Sequence, residues 1–267
     1  MERILLHACC GPCSLEPVRI LRSEGVEPVV FYANSNIHPA DEYARRLATL
    51  REWAAGEGLE VAEGAYDAEA WEAVVGCVGD AAEEKFGVIT DEEGDLEGDG
   101  IEDSTPSEAR AAREARCRAC YRLRFEEAAR YAREHGFAAV GTTLSVSPYQ
   151  YIRIIREELQ RACEREGVEA RFADYRPYYD EATRKSREGG MYRQNYCGCR
   201  FSDAEAAAER DQRRAARRAA REAELAAQAD VRAAEEAERA RNRAEKQAYA
   251  DKQARKRAIL KALREQQ

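Results

Sequence analysis

The sequence contains no apolar run approaching the roughly 20 residues needed to cross a bilayer, and it passes from MER straight into ILLHA without the order of a cleavable leader. These absences lead to the expectation of a cytoplasmic protein with no membrane partner. A GxxxxGKS phosphate loop is also missing, so nucleotide hydrolysis has no support in the sequence. Histidine is scarce: the three residues, His7, His38 and His135, stand far apart. The run DLEGDG from Asp95 opens like a calcium loop, but its twelfth position is Pro106 where a bidentate Glu is required.

Cysteine, by contrast, is plentiful. Nine are present, and a reducing compartment argues against a structural disulfide framework and for metal binding or redox catalysis. They are clumped as Cys9, Cys10 and Cys13, then Cys117 and Cys120, then Cys197 and Cys199, with Cys77 and Cys163 alone. Core packing by itself scatters cysteines and does not produce such groups.

The net charge of −8 is unevenly spread. Residues 80–110 carry twelve Asp or Glu against Lys85 and Arg110, whereas residues 201–267 carry seventeen Lys or Arg against thirteen Asp or Glu. The overall acidity therefore reflects one segment and does not exclude a nucleic-acid partner.

Strands are expected at Arg3–Ala8, Glu27–Ala33, Leu59–Glu63, Phe137–Leu144 and Ala170–Tyr175, with helices between them. That alternation predicts an α/β fold, a parallel sheet with helices on both faces. The expected organisation is a domain at 1–201, an acidic insertion at about 79–107, and a charged Ala-rich helical tail at 202–267. The tail carries no broad apolar stripe, and its charges alternate in sign, which favours a solvated helix over a basic arm touching RNA phosphates.

A CxxC on a helix places two sulfurs one turn apart on one face, which suits chelation, and Cys117 and Cys120 fit this. Cys9 and Cys10 are the best candidates for two further thiolates, because an open α/β sheet places its sites at strand ends and Gly11-Pro12 supplies a turn there. Four such sulfurs suit zinc or an iron-sulfur cluster, and spacing does not choose between them. Cys197-Gly198-Cys199 is open to a small oxidising disulfide, to ligands of a second metal, or to no chemistry. CGPC at Cys10–Cys13 also matches a thioredoxin exchange box. Three functional classes follow: an iron-sulfur reductase, a thiol-disulfide exchanger, and a zinc-stapled RNA-binding module.

The blocks ILLHACCGPCS, FYANSNIHPADEYARRLATL, CRACYRLR, GTTLSVSPYQ and MYRQNYCGCRFS, in that order over about residues 3–202, resemble the cobalamin-independent epoxyqueuosine reductases of the QueH type. The resemblance implies a Rossmann-like, adenine-nucleotide-hydrolase-like fold that reduces epoxyqueuosine in tRNA to queuosine. By position it implies Cys9, Cys10, Cys117 and Cys120 as 4Fe-4S ligands and Cys197 and Cys199 as a redox-active pair. A mononuclear iron beside the cluster is implied too, with Cys13 and, more weakly, Asp174 as its ligands, and an unidentified low-potential electron donor as partner. Two features depart from the compact family pattern, the acidic insertion and the tail. In addition, YIRIIREEL after GTTLSVSPYQ lacks the polar residues expected there, which bears on any substrate contact by Tyr151 or Ile152. Tyr149, Tyr151, Tyr178, Tyr179, Tyr192, Arg193 and Tyr196 are candidates for holding a splayed anticodon-loop base and its phosphate.

Overall fold

The computed structural model describes residues 2–90 and 107–265, so most of the expected insertion, at 91–106, lies outside the described residues. Five parallel strands form one sheet in the order β3-β2-β1-β4-β5, with β1 at Glu2–His7, β2 at Val26–Tyr32, β3 at Val61–Glu63, β4 at Ala139–Thr142 and β5 at Glu169–Ala170. Because successive strand residues point to opposite faces, β1 sends Ile4 and Leu6 one way and Leu5 the other. On the first face they meet Val18 and Leu21 of α1 (Gly11–Ser23) and Leu47, Leu50 and Ala54 of α2 (Ala40–Gly56). On the second they meet Phe125, Ala128 and Ala132 of α5 (Glu108–Glu134) and Ile155 and Leu159 of α6 (Ile152–Glu166). Helices therefore cover both faces of a parallel sheet, as the alternation predicts.

Two expectations are adjusted. The strand expected at Ala170–Tyr175 is only Glu169–Ala170. Beyond the contact of the Arg171 amide with the Val140 carbonyl the chain leaves the sheet. Asp174 folds onto Arg176, and the Tyr175 amide bonds to Ser145. The acidic segment does not begin at 79 either. A short helix α3 (Ala68–Trp71) runs through a π-helical turn at Glu72–Gly76 into α4 (Cys77–Phe86). Gly79 does not break it; a Cβ there would lie 2.3 Å from the ring of Phe201, so the glycine permits close packing.

After α7 (Tyr179–Glu188) comes α8 (Arg200–Glu265). Contacts divide the chain into one unit over Met1–Glu209 and a second over Arg210–Gln267. The first unit reaches past 201 because Phe201, Ser202 and Glu205 are buried, Glu205 through a two-pronged pair with the buried Arg116 at 2.7 and 2.9 Å.

Candidate active site

The sheet order reverses direction between β1 and β4, and open α/β sheets place ligands at such a point, outside the strand carboxyl ends. Here β1 delivers Ala8, Cys9 and Cys10. Cys10 is the extended N-cap residue of α1, with Pro12 in the first turn, where its missing N–H costs nothing. The turn brings the sulfurs of Cys9, Cys10 and Cys13 within 4.8 Å of one another, and those of Cys9 and Cys10 to 3.8 Å. A tetrahedron with metal–sulfur bonds of about 2.3 Å has an edge of about 3.8 Å, so this spacing suits a metal. No other group of three or more Cys, His, Asp or Glu ligand atoms is so close among the described residues.

The three thiols divide in their acidity. Hydrogen bonds from Cys13 and Cys9 outweigh burial and hold the Cys10 thiol well below its ordinary value, assisted by the Gln194 amide, whose Nε2 donates to Sγ at 3.0 Å. The contact with Cys10 in turn holds Cys9 up at about 11, and the contacts with Cys10 and Cys9 push Cys13 up as well. A cation would relieve this division, since a coordinating thiol is deprotonated outright.

Ser107 starts α5 by accepting from the Arg110 amide at 3.2 Å, and the helical repeat then puts Cys117, Cys120 and Arg124 on one face. Cys120 accepts from the buried Trp71 indole at 3.4 Å. Burial pushes both thiols up, against the nearby charge of Arg116 for Cys117 and of Arg124 for Cys120. Arg124 is 2% exposed; one of its nitrogens donates to Asn34 at 2.5 Å, while Nε and Nη1 find no hydrogen-bond partner. Its charge acts on Cys9, Cys120 and Cys197. A buried guanidinium is stabilised by nearby negative charge, so a thiolate-held anionic group fits this chamber.

Cys197 and Cys199 lie on an irregular strap fastened to α2. The Arg46 guanidinium, paired with Glu42 at 2.7 Å and 1% exposed, donates to the carbonyls of Cys197 at 2.9 Å and Tyr196 at 3.4 Å. Tyr196 donates to the His38 carbonyl at 2.6 Å, Tyr192 to Glu42 at 2.7 Å, and the His38 amide to the Gly198 carbonyl at 2.8 Å. Gly198 has φ +135, and a Cβ there would meet Ile37 at 2.9 Å, so glycine is required both by conformation and by space. Burial pushes both thiols of the pair up, which keeps them as a dithiol.

Cys117, Cys120, Cys197 and Cys199 line a single narrow cleft, partly open to solvent, together with Tyr149 and Gln150. Gln150 Oε1 accepts from Tyr121 at 2.7 Å and lies 3.9 Å from Cys197 Sγ. Tyr149 is well exposed at the edge of this cleft and Tyr151 also lines it. Tyr192 and Tyr196 instead lie under Arg45 and Arg46, and Arg193 is turned onto Thr183. Tyr178 lies under Arg19, and Tyr179 packs edge-on to Tyr149. Asp174 gives both oxygens to Arg176, at 3.0 and 2.7 Å. Sequence reasoning missed Arg124, Trp71 and Arg46. Only Arg124 left a signal, its spacing of four residues from Cys120 and seven from Cys117 in CRACYRLR.

The model of a family described as "Epoxyqueuosine reductase QueH" matches residues 4–87 and 96–205. A QueH epoxyqueuosine reductase of Thermotoga maritima is 30% identical to this chain over 204 residues, covering 76% of the chain and 91% of the relative. One of Dehalococcoides mccartyi is 27% identical over 76% of the chain and 93% of its own length, and one of Histophilus somni 29% identical over 75% and 72%. A solved structure described as a predicted subunit of tRNA methyltransferase from Methanocaldococcus jannaschii aligns with a TM-score of 0.42 at 12% identity, over 70% of this chain and 75% of that one, a likeness too loose to argue from. With the five motif blocks inside the matched residues and Cys9, Cys10 and Cys13 gathered at the switch point, the chain belongs to the QueH family of epoxyqueuosine reductases and is an enzyme.

Proposed function

We propose that this enzyme reduces the epoxide of epoxyqueuosine in tRNA to the alkene of queuosine, the last step in making that base, with Cys197 and Cys199 as the immediate two-electron source. The observation that carries the reading is the shared cleft, in which the dithiol faces the CxxC of α5. Removal of an epoxide oxygen as water consumes two electrons and two protons. Oxidation of two thiols to one disulfide releases the same two of each, so the step balances, and a low-potential donor must then restore the dithiol.

Cys9, Cys10, Cys117 and Cys120 would hold a 4Fe-4S cluster, with Cys13 serving an adjacent iron; Asp174 joins that iron only by releasing Arg176. The metal group would supply single electrons and Lewis acidity toward oxygen. The protein's own residues do the rest. Burial keeps both protons on Cys197 and Cys199 until reaction, and Arg46 fixes the backbone that presents them. Gln150 and Tyr121 stand beside Cys197 on the cleft wall, and Tyr149 offers an exposed ring to a base at its edge.

A second reading is favoured by the closeness of Cys9, Cys10 and Cys13, which suits one zinc ion and a purely structural role. Acid-labile sulfide and metal analysis of anaerobically purified protein separates the two: iron with sulfide supports the cluster, zinc without sulfide the staple. Thiol exchange at CGPC is disfavoured because Cys10 is only 1% exposed, and an exchanging thiolate needs access. The deciding experiment incubates reconstituted protein and a low-potential reductant with epoxyqueuosine-containing tRNA and looks for queuosine by mass spectrometry. No conversion by protein with an intact cluster defeats the proposal.

A further inference from the structure

Residues 210–221 of α8 carry six arginines and one aspartate, a local net charge of +5, whereas residues 222–265 carry eleven Lys or Arg and nine Asp or Glu. The alternation expected of the whole tail therefore fails over residues 210–221. Downstream, charged and amide side chains find partners four residues away, as Arg239 does with Glu235 and Gln247 with Asp251. Upstream, Arg214 has only Asp211, at 3.5 Å, and no ion pair or hydrogen bond engages the side chains of Arg213, Arg217, Arg218 or Arg221 among the described residues. Arg217 has only arginines and an alanine at its helical neighbours 213, 214, 220 and 221. Like charges at such spacings destabilise a helix, so the stripe opposes its own helix unless an anion is supplied.

The chemistry of that anion is constrained. Arg214, Arg217, Arg218 and Arg221 line one exposed surface, and between them lie alanines 215, 216, 219 and 220, with no large apolar side chain from 210 to 224. A helix that inserts into a membrane surface or packs on a partner helix needs an apolar face to bury, and none is offered from 210 to 224. What remains is a polyanion recognised by charge. From Arg210 to Arg221 the helix rises roughly 16 Å, enough to pass several phosphates of a nucleic-acid strand.

We propose that this arginine stripe grips the phosphate backbone of tRNA. The contact is sequence-independent and separate from the chemistry of the cleft. The family match ends at residue 205, so the stripe lies outside the matched residues. The inference rests on the proposed function only for the identity of the polyanion, and its test involves no turnover.

The full-length chain is compared with a variant carrying R214Q, R217Q, R218Q and R221Q, and with one carrying Lys at the same four positions. Binding of an unmodified tRNA transcript is followed as log Kd against log salt. Four lost phosphate contacts should flatten the slope by about 3 and weaken binding at about 0.1 M salt by tenfold or more. The lysine variant should keep the slope and stay within about threefold of the parent, because a phosphate reads charge there. Far-UV circular dichroism checks that both variants stay helical. An unchanged slope in the glutamine variant overturns the proposal and leaves the stripe to an acidic protein. A lysine variant as weak as the glutamine one overturns it too, by assigning the arginines to structure. If the reductase reading is wrong, the parent forms no queuosine while the salt slopes still differ; if the stripe is wrong, the slopes coincide while queuosine forms.

Discussion

The two sulfur groups at the head of the sheet are built in opposite ways. Cys9, Cys10 and Cys13 stand where a strand ends and a helix begins, so regular hydrogen bonding places them, and their thiols shift one another in opposite directions. Cys197 and Cys199 stand on an irregular strap that owes its course to one buried guanidinium and one glycine. On the proposed reading, ligands that must not move come from regular elements, whereas thiols that must approach each other and a substrate are suspended from a few side-chain contacts.

That contrast can be broken most sharply at Cys199. Cys199→Ser should abolish formation of queuosine while leaving the visible absorbance of an iron-sulfur centre intact; bleaching of that absorbance would make Cys199 a ligand and erase the distinction. Next in size is Gly198→Ala. With φ +135 and Ile37 in contact, the strap must shift, at a strain of roughly 1–3 kcal/mol. Turnover should fall about tenfold or more with metal content unchanged, and loss of metal in equal measure would show that the strap also shapes the ligand set.

Arg46→Lys sharpens the comparison further. The charge opposite Glu42 survives, but a single ammonium replaces the fork that reaches two carbonyls. The expected result is a fall in kcat of roughly threefold to tenfold with a melting temperature close to the parent's, measured on the same preparation. The smallest effect lies on the far side of the sheet. Burial works against the charge of Glu158, but hydrogen bonds from Arg122 and Arg118 outweigh it and hold the carboxyl below its ordinary 4.5. A lowered folded value means that the contribution is complete above about 4.5 and is lost as pH falls through it. Glu158→Gln should therefore lower urea stability by roughly 1–2 kcal/mol at pH 7, and the gap to the parent should close in acid. Turnover should stay the same, and a gap that widens in acid would contradict the assignment.

Much of this was readable from the chain alone. Period-two strands and the Gly-Pro turn located the switch point, and the CxxC spacing located the second wall of the cleft, because both depend on neighbours in sequence. The last strand is shorter than the sequence suggests: β5 stops at Ala170, and Asp174 turns onto Arg176. Arg46 and Trp71 gave no local sign, since their partners lie 151 and 49 residues away in the chain. The near balance of charge over the whole tail hides the run of unmatched arginines at 210–221.

Arg124 has a thermodynamic consequence. A cation deep in a protein with two idle donors favours whatever brings negative charge beside it. Assembly of an anionic metal group on the cysteines should thus raise the melting point by more than the metal–sulfur bonds alone supply, and removing the guanidinium with Arg124→Met should make folding less dependent on iron. If that group is the proposed iron cluster, folding and its loading would be linked steps, and iron supply would govern how long the chain persists as well as whether it reacts.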